Sequence, residues 1–265
     1  MAVVGSILFA FYAVAAVVVM AMFGTDIWPL VIVGSIAFVG VQYKVGKWMA
    51  LRSVGAEDLS EERAPDLHRR VESLSRDMGI EKPRLMIARM GVPNAFAVGR
   101  KGAGTVVVSE ELLRTLDDAE VEGVLAHELA HIRNRDVVMM VLGQGVASIV
   151  AIVAQWAVLL TGDNDIADFF LAIIVGQLTQ MLVMVFVFAI SRYREYVADG
   201  DAADAIGSGE PLARALEKIS SGAERRDTET DSQVNALCIF DDRGGLANLL
   251  STHPPVEKRI ERLRR

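Results

Sequence analysis

LDDAEVEGVLAHELAHIRNRD, residues 116–136, is the stretch from which the rest of the chain is read. It predicts one helix. Asp117 suits its N-cap, and Glu120, three residues on, completes a capping box. Positions four apart share a helix face, so His127 and His131 can aim two imidazoles at one ion, with Glu128 beside the opening. Two neutral His ligands next to a carboxylate able to take a proton from metal-bound water form the HExxH arrangement of zinc hydrolases. The competing reading is an ordinary helix with a coincidental His pair. With only 4 His in 265 residues, the metal reading leads, provided a third ligand exists.

The chain around the motif is apolar. Its mean hydropathy is +0.35, and 52% of its residues are hydrophobic, high for a soluble protein of this size. The apolar residues gather in four runs, 2–23, 27–43, 137–160 and 168–191, each close to the roughly 20 residues that cross a bilayer core. All 27 Lys and Arg lie in 44–135 and 192–265. Positive charge stays on the cytoplasmic side. The expectation is therefore a multi-pass protein of the cell membrane in four blocks: helix pairs at 1–43 and 137–191, cytoplasmic parts at 44–136 and 192–265, and both termini cytoplasmic. A net charge of −7 gives no reason to expect a nucleic-acid partner. The single cysteine, Cys238, excludes an intrachain disulfide and reads as a small structural side chain.

Between the first pair and the motif, residues 56–79 read as a helix, with Pro65 in a first turn and Gly79 at its end. His68 falls off the Leu67, Val71, Leu74 stripe and reads as a surface residue. Residues 84–110 then turn β-prone, predicting a small antiparallel meander. Its segment Pro93, Asn94, Ala95, Phe96, Ala97 is a candidate edge for holding an extended peptide beside the metal.

Asp136 is set aside as the third ligand, because five residues past His131 on a continuous helix is about 140° away. Glu195 is preferred. Runs 137–160 and 168–191 are equally long and joined by a short loop, so as an antiparallel pair they return residue 195 to the level of His131. Asp199, one turn on, can fix the tautomer of a ligand imidazole. An exposed acidic helix face, with Asp201 and Asp204, is the competing reading. Residues 221–245 are polar and suit a mobile loop or partial lid, and the chain ends in Ser251, Thr252, His253, Pro254, Pro255 and a short basic helix. Gly143, Gly145, Gln144, Gln177 and Gln180 are read as packing the second helix pair together.

With HELAHIRNRD, SRYREYVAD and STHPPVEKRI in view, the chain resembles the HtpX branch of the M48 membrane metalloproteases, relatives of the Ste24-type CaaX prenyl proteases. The likeness covers nearly the whole chain. It implies an α+β membrane protein: four transmembrane helices, a mainly α cytoplasmic gluzincin-like domain and the small β-meander. It also implies one Zn²⁺ per chain, held by His127, His131 and Glu195, with Glu128 catalytic and Asp199 behind the ligands. His253 and Arg259 match positions near the site and are carried as catalytic candidates, with His253 first choice for the oxyanion donor and Arg259 or Tyr193 in reserve. Asn94, Ala95 and Phe96 match the strand beside the substrate.

The expected function is a membrane-anchored zinc endopeptidase. It would cleave misfolded or damaged membrane proteins at the cytoplasmic face, with protein substrates and the lipid bilayer as partners. The alternatives are a CaaX prenyl-protein-type protease and a non-catalytic membrane adaptor with structural zinc. A site-2-type intramembrane protease would carry its HExxH inside an apolar run, whereas here Arg133, Asn134, Arg135 and Asp136 follow it. Substrate preference and oligomeric state are not legible.

Overall fold

Apolar run 27–43 continues past Lys44 and Lys47 to form α1 (Trp28–Ser53), a 26-residue helix with Leu30 and Ile36 exposed. The computed structural model describes residues 17, 21, 24, 28–162, 165–224 and 253–265. Run 2–23 lies outside them apart from Val17 and Ala21, as do Cys238 and nearly all of the expected lid.

The helix expected over 56–79 is shorter. Glu57–Asp58 forms a two-residue strand, β1, and α2 spans Pro65–Asp77. Proline has no N–H to continue a helix and forces the residue before it out of the α region. Ala64 accordingly sits at φ −145°, ψ 62°, and Pro65 opens the helix rather than riding inside it. His68 is buried, not exposed: its Nε2 lies 2.7 Å from the carbonyl oxygen of Leu59 and supplies that buried acceptor with a donor.

Three further strands follow: β2 (Arg84–Ala88), β3 (Ala95–Val98) and β4 (Thr105–Ser109). The sheet order is β1-β2-β4-β3. β3 pairs antiparallel with β4, as a hairpin should, but β2 pairs parallel with β4, so the expected meander is a mixed sheet. Burial explains the rearrangement. All five residues of β4 are buried, and such a strand belongs in the middle, covered on both faces. The 89–94 connection skips a place and leaves β3 at an edge.

After β4, Ser109 caps the short α3 (Glu110–Thr115), and Asp117 caps α4 (Asp118–Asn134). The expected capping box is present: Glu120 N–H donates to Asp117 Oδ1, and Asp117 N–H donates to Glu120 Oε2, both at 2.9 Å. The motif helix does not run on into the next apolar run. Arg135 adopts the left-handed conformation (φ 58°, ψ 38°), ends α4, and a new helix, α5 (Asp136–Thr161), starts at the following residue.

α6 (Ile166–Ile206) is one helix of 41 residues. Among the described residues, α5 and α6 are long and apolar enough to cross a membrane, each with a stretch of mean hydropathy 2.3. Small side chains mark their contact: Gly143 is so close to Val187 that an added Cβ would come within 3.0 Å of it, and Ala147 and Ala151 are buried. Gly145 is buried too, whereas Gln144 and Gln177 are exposed.

The chain divides into two compact units, one of Met1–Val45 and Met139–Ile190, the other of Gly46–Val138 and Ser191–Arg265. The second has its own core. α7 (Glu210–Glu224) packs on α4, where Gly123 lets the two backbones meet: a methyl there would lie 2.8 Å from Leu212 N. Lys218 Nζ donates to the buried carboxylate of Glu120 at 2.6 Å across the same contact. The terminal helix, α8 (Val256–Leu263), lies against α7. Leu125, Ala126, Leu129 and Ala130 of α4, Ala198 and Ala202 of α6, and Val106 and Val108 of β4 share one core. That core holds the histidine helix and residues 191–206 of α6 in one frame.

Candidate metal centre

Three helices of the second unit converge on one buried cluster. His127 and His131 sit one turn apart on α4, and their Nε2 atoms face each other at 3.0 Å. Glu195 of α6 reaches the same point, with Oε1 3.4 Å from His131 Nε2 and Oε2 3.6 Å from His127 Nε2. The ligand atoms of these three residues lie within 4.8 Å of one another. Glu195, the carboxylate to which the equal lengths of the two apolar runs pointed, is the one that meets the histidines.

Behind the Nε2 atoms, each imidazole is tied by its other nitrogen. His127 Nδ1 lies 3.0 Å from Asp199 Oδ1, as the spacing of Glu195 and Asp199 predicts. His131 Nδ1 hydrogen-bonds to Asp136 Oδ2 at 2.7 Å. A carboxylate at Nδ1 holds the proton there and leaves the Nε2 lone pair for a cation. Asp136 is therefore not turned away. The 140° argument assumed a continuous helix, and the left-handed turn at Arg135 folds Asp136 back beside His131. The signal for that break was present: an acid directly before an apolar run is a helix-start pattern.

Arg259 of α8 is fully buried, with relative exposure 0%, and grips Asp199 with two bonds, Nε to Oδ2 at 2.9 Å and Nη2 to Oδ1 at 2.7 Å. Its Nη1 is 3.1 Å from Glu195 Oε2, and its Nη2 is 3.3 Å from His127 Nε2. Arg259 thus touches Asp199, Glu195 and His127 together. His253 also reaches the cluster, its Nδ1 3.1 Å from Glu195 Oε2. Tyr193 is 64% exposed and, two residues from Glu195, points off the opposite side of α6, which removes it as a donor. Phe96 is buried with Met86, Met90 and Val107, and Ala95 lies in the main core. Asn94 is buried as well, and its N–H donates to Ser109 Oγ at 2.9 Å. The outer backbone edge of β3 pairs with no other strand among the described residues.

The electrostatics suit a cation. Burial, the largest influence, and Arg259 both oppose charge on His127, yet Asp199 and Glu195 carry its imidazole up to about 9. Burial and then His127 hold His131 below the usual imidazole range. Against the cost of its burial, His253 and Arg259 keep Glu195 ionised, well below the usual carboxylate range. Burial raises Glu128, whose charged neighbours are His131, His127, Glu195 and His253. Glu195 Oε2 is buried, with nitrogens of His253, Arg259 and His127 at 3.1, 3.1 and 3.6 Å from it. A buried, ionised carboxylate beside two converging imidazole nitrogens fits a divalent cation with N and O ligands.

Residues 61–265 match Peptidase family M48. A "Protease HtpX homolog" of Halobacterium salinarum is 64% identical over 288 aligned positions, covering 100% of both chains. Another, of Thermococcus sibiricus, is 41% identical over 223, covering 79% of this chain and 76% of the relative. In fold, the chain is similar to S. mikatae Ste24p (TM-score 0.63, 18% identity), covering 99% of this chain; it spans 62% of that structure's length. Sequence family, fold and an HExxH helix closed by a distant glutamate lead to one assignment: the chain belongs to peptidase family M48, as an HtpX-like membrane protease.

Proposed function

We propose that the chain is a zinc endopeptidase that hydrolyses peptide bonds of membrane proteins, damaged or misfolded ones among them, at the cytoplasmic face of the membrane. The carrying observation is the convergence of His127, His131 and Glu195, with each imidazole braced at Nδ1 by a carboxylate. Three protein donors match a catalytic zinc site, which keeps a position open, better than a structural one, which is closed by a fourth ligand. A bound Zn²⁺ would supply Lewis acidity and bring a water's pKa toward 7. Glu128 receives the water's proton and returns it to the leaving amine, a role suited to a carboxyl that burial has made more basic. His253, beside Glu195, donates to the developing oxyanion. Asp199 and Arg259 touch ligands rather than substrate; they hold His127 and Glu195 in place. The free edge of β3 aligns an extended peptide by backbone hydrogen bonds. The basic residues flanking the apolar runs support a catalytic unit that faces the cell interior.

The detergent-purified chain is expected to cleave casein, to lose that activity in a strong chelator and to regain it on adding Zn²⁺ alone. Cleavage that persists in the chelator would remove the metal from the reaction. A zinc-bound chain that cleaves no unfolded protein would favour the adaptor.

A further inference from the structure

The site has two imidazoles, and one of them is braced by a pair of residues that the cleavage reaction does not use. His127 is backed by Asp199, which Arg259 grips. His131 has a matching arrangement on the other side. Its Nδ1 bonds to Asp136 Oδ2 at 2.7 Å, and Arg194 forms an ion pair with Asp136 Oδ1. Arg194 also donates from Nη2 to the carbonyl oxygen of Asn134 at 2.7 Å, at the end of α4. Asp136 and Arg194 are 7% and 6% exposed, so neither belongs to a solvated charged surface.

The backbone is shaped for this contact. Arg135, at φ 58°, is the only non-glycine residue with positive φ among the described residues, and that turn places Asp136 beside His131. A non-glycine residue in this region carries a conformational cost, which the surrounding bonds offset. Asn134 Nδ2 donates to Asp201 at 2.6 Å, and Arg133 lies 3.5 Å from the same carboxylate, fastening the break to α6.

We infer that Asp136 and Arg194 are positioning residues for the metal: Asp136 fixes the tautomer and ring direction of His131, and Arg194 holds Asp136 there. This rests on the reading of His131 as a metal ligand. Asp136 is the first residue of α5, and Arg194 lies three residues past the apolar run of α6. The ligand is thereby fastened to the start of α5 and to α6 just past its apolar run. A carboxylate bonded to the far nitrogen of a ligand imidazole is worth about 10- to 100-fold in metal affinity.

The test uses the full chain in detergent, stripped of metal and titrated with Zn²⁺ against a chromophoric chelator, with Co²⁺ absorption reporting the ligand field. Asp136→Ala is expected to weaken Zn²⁺ binding about 10- to 100-fold and to alter the Co²⁺ spectrum. Asp136→Asn, which still accepts from Nδ1 but lacks charge, should fall between. Arg194→Ala should weaken binding, Arg194→Lys should recover part of the loss, and the Asp136→Ala/Arg194→Ala double variant should match Asp136→Ala alone. The metal-free Asp136→Asn chain should melt with the parent. His131→Ala serves as control. If it loses Zn²⁺ while both Asp136 variants bind like the parent, the positioning role is overturned and the metal reading stands. If His131→Ala also binds normally, the metal reading falls and the inference with it. Weakened binding confined to variants whose metal-free form is equally destabilised would make the pair structural only and overturn the inference.

Discussion

Glu128→Gln is expected to lower peptide hydrolysis by about 10²- to 10⁴-fold, the usual worth of a positioned general base, while zinc content stays at the parent level. The two halves of this result come from different features. Metal retention follows because the proposed ligand atoms belong to His127, His131 and Glu195 and not to Glu128. Loss of turnover follows because Gln occupies the same volume but cannot carry a proton from water to the amine. Glu128 is 3% exposed and raised by burial, so no solvent carboxylate replaces it. Quantitative cleavage of a quenched peptide, beside metal analysis of the same preparation, checks both halves. Parent-level turnover in a zinc-loaded Glu128→Gln chain would remove Glu128 from the mechanism.

Arg259→Ala should have the largest effect on the fold. Arg259 is wholly buried between Asp199 and Glu195, and its removal leaves carboxylates without their guanidinium. Breaking a buried ion pair by deleting one partner costs about 3–5 kcal/mol. Asp199 shows the dependence. Burial works to raise its carboxyl, but Arg259 and then His127 bring it from 3.8 to about 2. A depressed acid stabilises the fold fully above its unfolded value and loses that contribution as pH falls through its folded one, here between about 4 and 2. In the variant this acid-side transition should move to higher pH. Arg259→Lys should recover little, since one ammonium cannot reproduce the two-pronged grip. Denaturant melts of the metal-free chain across pH measure both; an Arg259→Ala chain as stable as the parent would show that the buried carboxylates do not rely on it.

How much of this was legible in the sequence depended on whether the signal was local. His127, Glu128 and His131 follow from spacing on one helix. The Asp117–Glu120 capping box follows from a three-residue offset. Glu195 needed a longer argument, from equal apolar runs, and its carboxylate does meet the histidines. The failures share a cause. The sheet was expected to be a meander because neighbouring strands usually pair, but the fully buried TVVVS strand took the centre and paired in parallel with β2. Asp136 was discarded by geometry that held only for an unbroken helix, and one residue in the left-handed region reversed it. His68 was assigned to the surface from its own helix face, when its partner is the carbonyl of Leu59 in a preceding segment. Arg194 gave no sequence signal beyond a basic residue at the end of an apolar run, because its role depends on where that break put Asp136.

The most direct test of the three-ligand centre is zinc content of the purified chain by elemental analysis, parent against Glu195→Ala. One zinc per parent chain is expected, with loss of nearly all of it from the variant despite an intact His127 and His131. Full occupancy in Glu195→Ala would contradict the account, because the third ligand would then have to lie elsewhere.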